Sequence, residues 1–188
     1  MWSAWRIVTG AAEGTALLGL GTNLGDRTAN LRAAIAALGA VGRVERVSRV
    51  YESEPYGYVD QPRFLNMAVR LRTALAPDGL LRAVKEIEVH IGRAPTHRMG
   101  PRVIDIDILF YDDMQLDAPG LHIPHPGVMD RAFVIAPLLD LDIGLRHPAS
   151  GELLAERVIS LNDSSLVPLG AAADVLHIDP PDAGKFLI

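Results

Sequence analysis

Phe64-Leu65-Asn66-Met67-Ala68-Val69-Arg70-Leu71-Arg72 decides the fold. Leu65, Met67, Val69 and Leu71 recur at period two, the spacing that puts alternate side chains on one face of a strand. Upstream, residues 44–51 are rich in β-branched types and read as another strand, so two strands follow one another. Further upstream, residues 16–20 form a short apolar strand ending in glycines. Residues 28–38 carry Leu31, Ala34, Ile35 and Leu38 at helical spacing, with Gly39 as a stop. Downstream, residues 77–91 place Leu80, Leu81, Val84, Ile87 and Ile91 on one helical face. Pro77 opens that helix and Gly92 lies just past its end. Residues 103–110 are a strand. The order strand, helix, strand, strand, helix, strand predicts an α+β protein: a ferredoxin-like antiparallel sheet with helices packed on one face. Residues 128–136 are expected to be helical, with Pro137 interrupting or kinking the helix.

The ends are weaker in pattern. Residues 1–14 contain no export signal and read as a loose extension. Residues 15–160 make a single domain with elements added to the ferredoxin-like core. Residues 161–188, with weak periodicity and paired prolines, are expected to be an irregular surface appendage. The chain has 188 residues, 49% hydrophobic and 22% charged, enough for one buried core and too apolar for disorder throughout. It has no apolar run of membrane-spanning length, and its net charge of -5 argues against general nucleic-acid affinity. A cytoplasmic protein without nucleic-acid or membrane partners is expected. Cysteine is absent, which removes disulfides, thiolate zinc sites and a cysteine nucleophile. Chemistry must come from carboxylates, histidines, arginines and bound ions.

Ile104-Asp105-Ile106-Asp107-Ile108 is the stretch richest in chemistry. On a strand its isoleucines face a core, and its aspartates share the other face about 6–7 Å apart. Alternation alone leaves two readings: a carboxylate pair for a hard divalent ion such as Mg²⁺, or the wet face of an edge strand. The flank favours the first. Arg93, Arg98 and Arg102 lie in a loop without acidic residues that runs straight into the aspartates. Guanidiniums beside a metal-binding pair suit a nucleoside triphosphate. Phe64 and Asn66 share a strand face, a combination that can stack on a flat heterocycle and hydrogen-bond to it. His122-Ile123-Pro124-His125-Pro126, with Arg131 and Phe133 beyond, lacks the partner motif of a zinc site. Gly19, Gly21 and Gly25 do not keep GxGxxG spacing, and a tight turn into the following helix is the better reading.

Taken together, LGTNLGDR, YESEPYG, DQPRFLN, the helix carrying Glu88 into GR, RMGPRVIDIDIL and IPHPGVMDRAFVIAPL resemble the 6-hydroxymethyl-7,8-dihydropterin pyrophosphokinase family of folate biosynthesis. The pieces stand in the family's order over residues 16 to about 140. The resemblance implies transfer of pyrophosphate from ATP to the pterin hydroxymethyl group, with release of AMP. It implies two Mg²⁺ ions on Asp105 and Asp107, and catalytic roles for Arg93, Arg102 and Asp107. An ATP site would be formed by Glu88, Arg93, Arg98, Arg102, Ile108, His122, His125 and Arg131. A pterin site would be formed by Ser53, Tyr56, Phe64, Asn66 and Phe133, with Phe64 and Phe133 sandwiching the ring. Other folate-pathway enzymes are implied as partners. Three positions depart from the family's pattern: Met99 where Trp is usual, Pro95 where Arg is common, and Thr22 for Ser. The Met99 and Pro95 departures bear on closure of the arginine loop and on pterin affinity. A binder without turnover, and a metal-dependent hydrolase or glycosyltransferase using the aspartate pair, are the competing functions.

Overall fold

The computed structural model describes residues 13–96 and 99–179. Of the extension expected at residues 1–14, residues 1–12 lie outside them, as do Arg98 and the last nine residues, while Gly14 already belongs to the first strand. The main sheet contains β1 (Gly14–Thr22), β2 (Arg43–Val47), β3 (Arg49–Ser53), β4 (Phe64–Thr73) and β5 (Asp105–Tyr111). All its pairings are antiparallel. β1 lies between β5 and β4, and the far side of β4 is shared by β2 and β3. The strand expected at residues 44–51 is split at Ser48. The Ser48 hydroxyl donates to the Arg49 carbonyl and accepts from the Ala68 N–H, so it fills the break in the ladder.

Two helices form as their sequences dictate. Asp26 caps α1 (Arg27–Leu38) by accepting from the Ala29 N–H, and Leu31, Ala34 and Leu38 are buried. α2 (Pro77–Ile91) begins at a proline and ends at Gly92, whose φ of 114° is left-handed. Both pack on the face that carries Leu18, Leu20, Met67, Ile104, Ile106 and Ile108.

The opposite face is covered in part as well, which corrects the expectation of helices on one face only. Leu17, Ala68, Leu109 and Phe110 point that way and bury against α3 (Ala132–Leu141) and α4 (Leu154–Leu161). A single 3-10 turn, Val128–Asp130, precedes α3, so the helix starts later than expected and runs through Pro137. Pro137 is buried, and the apolar contacts of Ile135, Leu138 and Leu141 hold the helix although a proline removes one of its hydrogen bonds. A small hairpin, β6 (Leu116–Ala118) and β7 (Leu121–Ile123), precedes the 3-10 turn.

The expected irregular tail is corrected over residues 167–176. β8 (Val167–Ala171) pairs with β3 at the sheet edge, and α5 (Ala172–Leu176) follows it. Five residues cannot sustain a helix alone. Here Leu176 and Ala172 are buried in the core of α1 and α2, and Arg32 Nε donates to the Leu176 carbonyl at 2.9 Å. Burial of one leucine contributes about 1.5–3 kcal/mol, which adds to the pairing of β8 with β3 in holding the segment. No helix among the described residues is long and apolar enough to cross a membrane.

Candidate active site

The part of the second sheet face left open by α3 and α4 forms a cavity of about 770 Å³. Its floor is made by an absence of side chains. Gly19 and Gly21 lie within β1, and the expected tight turn into α1 comes after them, at Gly25 with its φ of 65°. Gly19 pairs with Asp107, while Gly21 pairs with Asp105 on one side and Asn66 on the other. Any Cβ at Gly19 would press on Leu109, and one at Gly21 would meet Asn66. β1 therefore holds the aspartate strand and the Phe64–Asn66 strand apart by one strand width while adding no bulk between them.

The aspartate wall is densely charged. Ile104, Ile106 and Ile108 are buried on the helix side, and Asp105 and Asp107 face the cavity, as the alternation predicts. Asp105 is gripped from two sides: Arg93 reaches one oxygen at 2.5 Å and Arg102 pairs with the other. Burial pushes the Asp105 carboxyl up, but Arg102, Arg93 and Lys85 outweigh it and hold it below the usual range. Asp107 goes the other way, because burial and the neighbouring Asp105 charge exceed the help from Lys85. Glu88 is almost completely buried, which raises its pKa against the opposing pull of Lys85, the Ile106 N–H and Arg93. It accepts from the Ile106 N–H at 2.7 Å and pairs with Lys85 at 2.8 Å and Arg93 at 2.6 Å. Glu88 thus fixes α2 to β5 and aims Arg93.

Lys85 was not singled out from sequence. Its position one helical turn before Glu88 was the available signal. Its Nζ also donates to the Ile106 carbonyl and lies 3.9 Å from both Asp105 and Asp107. Asn23 and Gln61 were missed too. Asn23 Oδ1 accepts from the Arg102 N–H, and its Nδ2 donates to Gln61 Oε1 and the Pro62 carbonyl. Gln61 Nε2 donates to the Met99 carbonyl at 2.9 Å. Two amides thereby tie the arginine loop to the loop before β4.

The opposite wall is aromatic and amide. Asn66 is buried and donates to Ser53 Oγ at 2.9 Å. The Tyr56 and Phe133 rings lie 6.1 Å apart, and the Arg131 guanidinium lies 5.0 Å from the Tyr56 ring centre. Arg131 Nε is buried without a hydrogen-bond partner among the described residues. His125 Nδ1 accepts from the Gly127 N–H at 3.0 Å. Burial depresses its pKa, and the nearby Asp107 only partly restores it.

Residues 17–143 match the model of the 7,8-dihydro-6-hydroxymethylpterin-pyrophosphokinase family. The chain belongs to this family. Membership assigns it pyrophosphoryl transfer from ATP to hydroxymethyldihydropterin in folate synthesis. It is 39% identical over 142 residues to the 2-amino-4-hydroxy-6-hydroxymethyldihydropteridine pyrophosphokinase of Aquifex aeolicus, covering 76% of this chain and 89% of that protein. It is 44% identical over 128 residues to the Bacillus subtilis protein of the same name, covering 67% and 77%. The folic acid synthesis protein fol1 of Schizosaccharomyces pombe is 41% identical over 186 residues, covering 90% of this chain. The chain spans 25% of that relative's length. Among solved structures, Plasmodium falciparum HPPK-DHPS shares the fold with a TM-score of 0.64 at 16% identity, covering 82% of this chain and 44% of that one.

The cavity gathers twelve of the residues assigned by resemblance. Ser53, Tyr56, Phe64, Asn66 and Phe133 line it on the proposed pterin side. Glu88, Arg93, Arg102, Asp105, Asp107, His125 and Arg131 line the charged side. Ile108 and His122 are not brought to its lining. Ile108 points into the core under the helices, because it continues the isoleucine alternation. His122 sits on the outer face of the β6–β7 hairpin, where its Nδ1 meets Asp117 at 2.6 Å.

Proposed function

We propose that this cavity is where pyrophosphate passes from ATP to the pterin, and that its two walls divide the task. The observation that carries this reading is the placement of Asp105 and Asp107 one glycine-floored strand away from Phe64 and Asn66. Phe64 and Phe133 would hold the pterin ring between them. The Asn66 amide and Ser53 would meet its polar edge. Arg93, Arg102 and Arg131 would take the phosphates. Neutral His125, which accepts at Nδ1, keeps its Nε2–H to donate to a phosphate oxygen.

The donor set on the charged wall fits Mg²⁺. It offers carboxylate oxygen without thiolate. No cluster of three or more potential metal-ligating side chains occurs among the described residues, so water and phosphate would complete the shell. Asp105 and Asp107 would hold two ions, which when bound would neutralise phosphate charge. The chain's residues do the rest. The hydroxymethyl oxygen forms its bond to the β-phosphorus, the bond from that phosphorus to the α-phosphate oxygen breaks, and AMP leaves. Asp107, which faces the cavity beside Asp105, takes the hydroxyl proton. Arg93 and Arg102 exchange Asp105 for the shifting phosphate charge, and the loop that carries them excludes water.

A ferredoxin-like core belongs to the same reading. It is supported by the β5-β1-β4-β3 order and by α1 and α2 on one face, with β6, β7, α3, α4, β8 and α5 added. A single pyrophosphokinase domain is proposed with it. Its C-terminal limit lies beyond 160, because Leu176 packs in the same core. The fused relatives favour association with another folate-pathway enzyme, and dependence on ATP suits the cytoplasm. Incubation with ATP, hydroxymethyldihydropterin and a Mg²⁺ titration tests the activity. Metal-dependent AMP release is expected. Binding without AMP, or ATP hydrolysis indifferent to the pterin, overturns it.

A further inference from the structure

Three carboxylates and three cations meet on the charged wall: Asp105, Asp107 and Glu88 against Lys85, Arg93 and Arg102. The pairing is uneven. Asp105 takes both arginines, and Glu88 takes Arg93 and Lys85. Asp107 has only Lys85 as an ion-pair partner among the described residues, at 3.9 Å. That separation is too long for a hydrogen bond. The ammonium is instead held in place by Glu88 Oε1 at 2.8 Å and the Ile106 carbonyl at 3.2 Å. It stands equidistant from Asp105 and Asp107, anchored by groups that are not themselves the aspartate pair.

We propose that Lys85 is the resident counter-cation of the aspartate pair and makes divalent-metal affinity conditional on a bound polyphosphate. The proposal rests on the reading of Asp105 and Asp107 as metal ligands. A divalent ion that approaches the aspartate pair without nucleotide meets a wall with no net negative charge and a fixed ammonium a few ångströms away. Coulomb repulsion at that range weakens binding about tenfold even at the dielectric of water. A polyphosphate reverses the balance. It brings several negative charges, offers Arg93 and Arg102 another partner, and so releases Asp105. Metal then enters with the nucleotide and not ahead of it.

The test measures Mn²⁺ binding to the full chain from the paramagnetic resonance signal of the free ion, with and without a non-hydrolysable ATP analogue. Lys85→Gln keeps a donor for the Ile106 carbonyl but removes the charge. It is expected to bind Mn²⁺ alone about tenfold more tightly than the unaltered chain, with a smaller gain when the analogue is present. Lys85→Arg is expected to restore weak binding of the metal alone. Lys85→Met repeats the measurement should Lys85→Gln fail to fold. A residue that merely pins α2 to β5 would change the melting temperature and leave metal affinity alone. Unchanged Mn²⁺ affinity in a folded, charge-free variant overturns the counter-cation role. Asp107→Asn separates the two readings: it should lose Mn²⁺ affinity in the ternary complex, and if it does not, the metal-ligand reading itself fails.

Discussion

Asn23 and Arg102 hold each other twice: the Asn23 N–H donates to the Arg102 carbonyl at 3.1 Å, and the Arg102 N–H donates to Asn23 Oδ1 at 2.8 Å. The turn after β1 thereby sets the height at which Arg102 enters the cavity, and the Arg102 guanidinium then reaches Asp105.

Asn23→Ala leaves the Arg102 N–H without its acceptor in a nearly closed setting. Such a loss costs about 1–3 kcal/mol. Urea unfolding should show a lower midpoint of that size. AMP release should fall as well, because the arginine loop loses one of its two amide ties and keeps only the Gln61–Met99 bond. An unchanged midpoint would contradict the bracing role.

Arg102→Ala removes one of two guanidiniums from Asp105 and one phosphate donor. By analogy with the loss of an electrostatic donor, the rate should fall about 10²-fold or more. Asp107→Ala should nearly abolish transfer. Both are read as AMP formed per unit time at saturating substrates, and unaltered turnover in either removes that residue from its assigned role.

Tyr51 gives a pH prediction away from the cavity. Its hydroxyl donates to Asp140 at 2.9 Å, and Arg49 pairs with the same carboxylate. Burial first, then the Asp140 hydrogen bond, pushes the phenol up to about 12. The folded pKa is raised, so the contribution is complete below the ordinary value near 10 and is lost as pH climbs toward 12. Stability should decline across that window, and Tyr51→Phe should flatten the decline. Equal slopes for both proteins in alkaline denaturant titrations would refute this.

Met99 supplies the fourth prediction. Its thioether lies so close to Gly57 that any Cβ there would collide with the sulfur, and Gly57 has a left-handed φ of 88°. A flexible thioether therefore packs on Gly57 at the position where the resemblance leads one to expect an indole. Met99→Trp should add a stacking surface and tighten pterin binding about threefold to tenfold in the presence of an ATP analogue. Calorimetric titration reads this directly, and no change counts against a softened lid.

Much of the wall chemistry was legible in the chain. Period two forces Asp105 and Asp107 onto one face whatever the strand pairs with, and Pro77 and Gly92 bracket α2 through local backbone preference alone. Gly19 and Gly21 were not legible as a cavity floor. Their role exists only because β1 runs between Asn66 and the aspartates, a register set by burial of Leu18 and Leu20 on the far face. Residues 167–176 looked unstructured because their pairing partners, Arg49 to Glu52, lie more than a hundred positions away. Lys85 was hidden because a lysine on an amphipathic helix usually marks the solvent side, and only the approach of β5 turns this one toward two aspartates.

Which residue types this molecule can bring to bear, and which face of its own strand or helix each occupies, follow from neighbours a few positions apart. Which faces meet does not. The convergence of Asn23 with Arg102, Lys85 with Asp107 and Tyr56 with Phe133 came from packing, since each strand could hide its apolar side in several registers. Only close packing of both cores left one of them with an open, charged cleft.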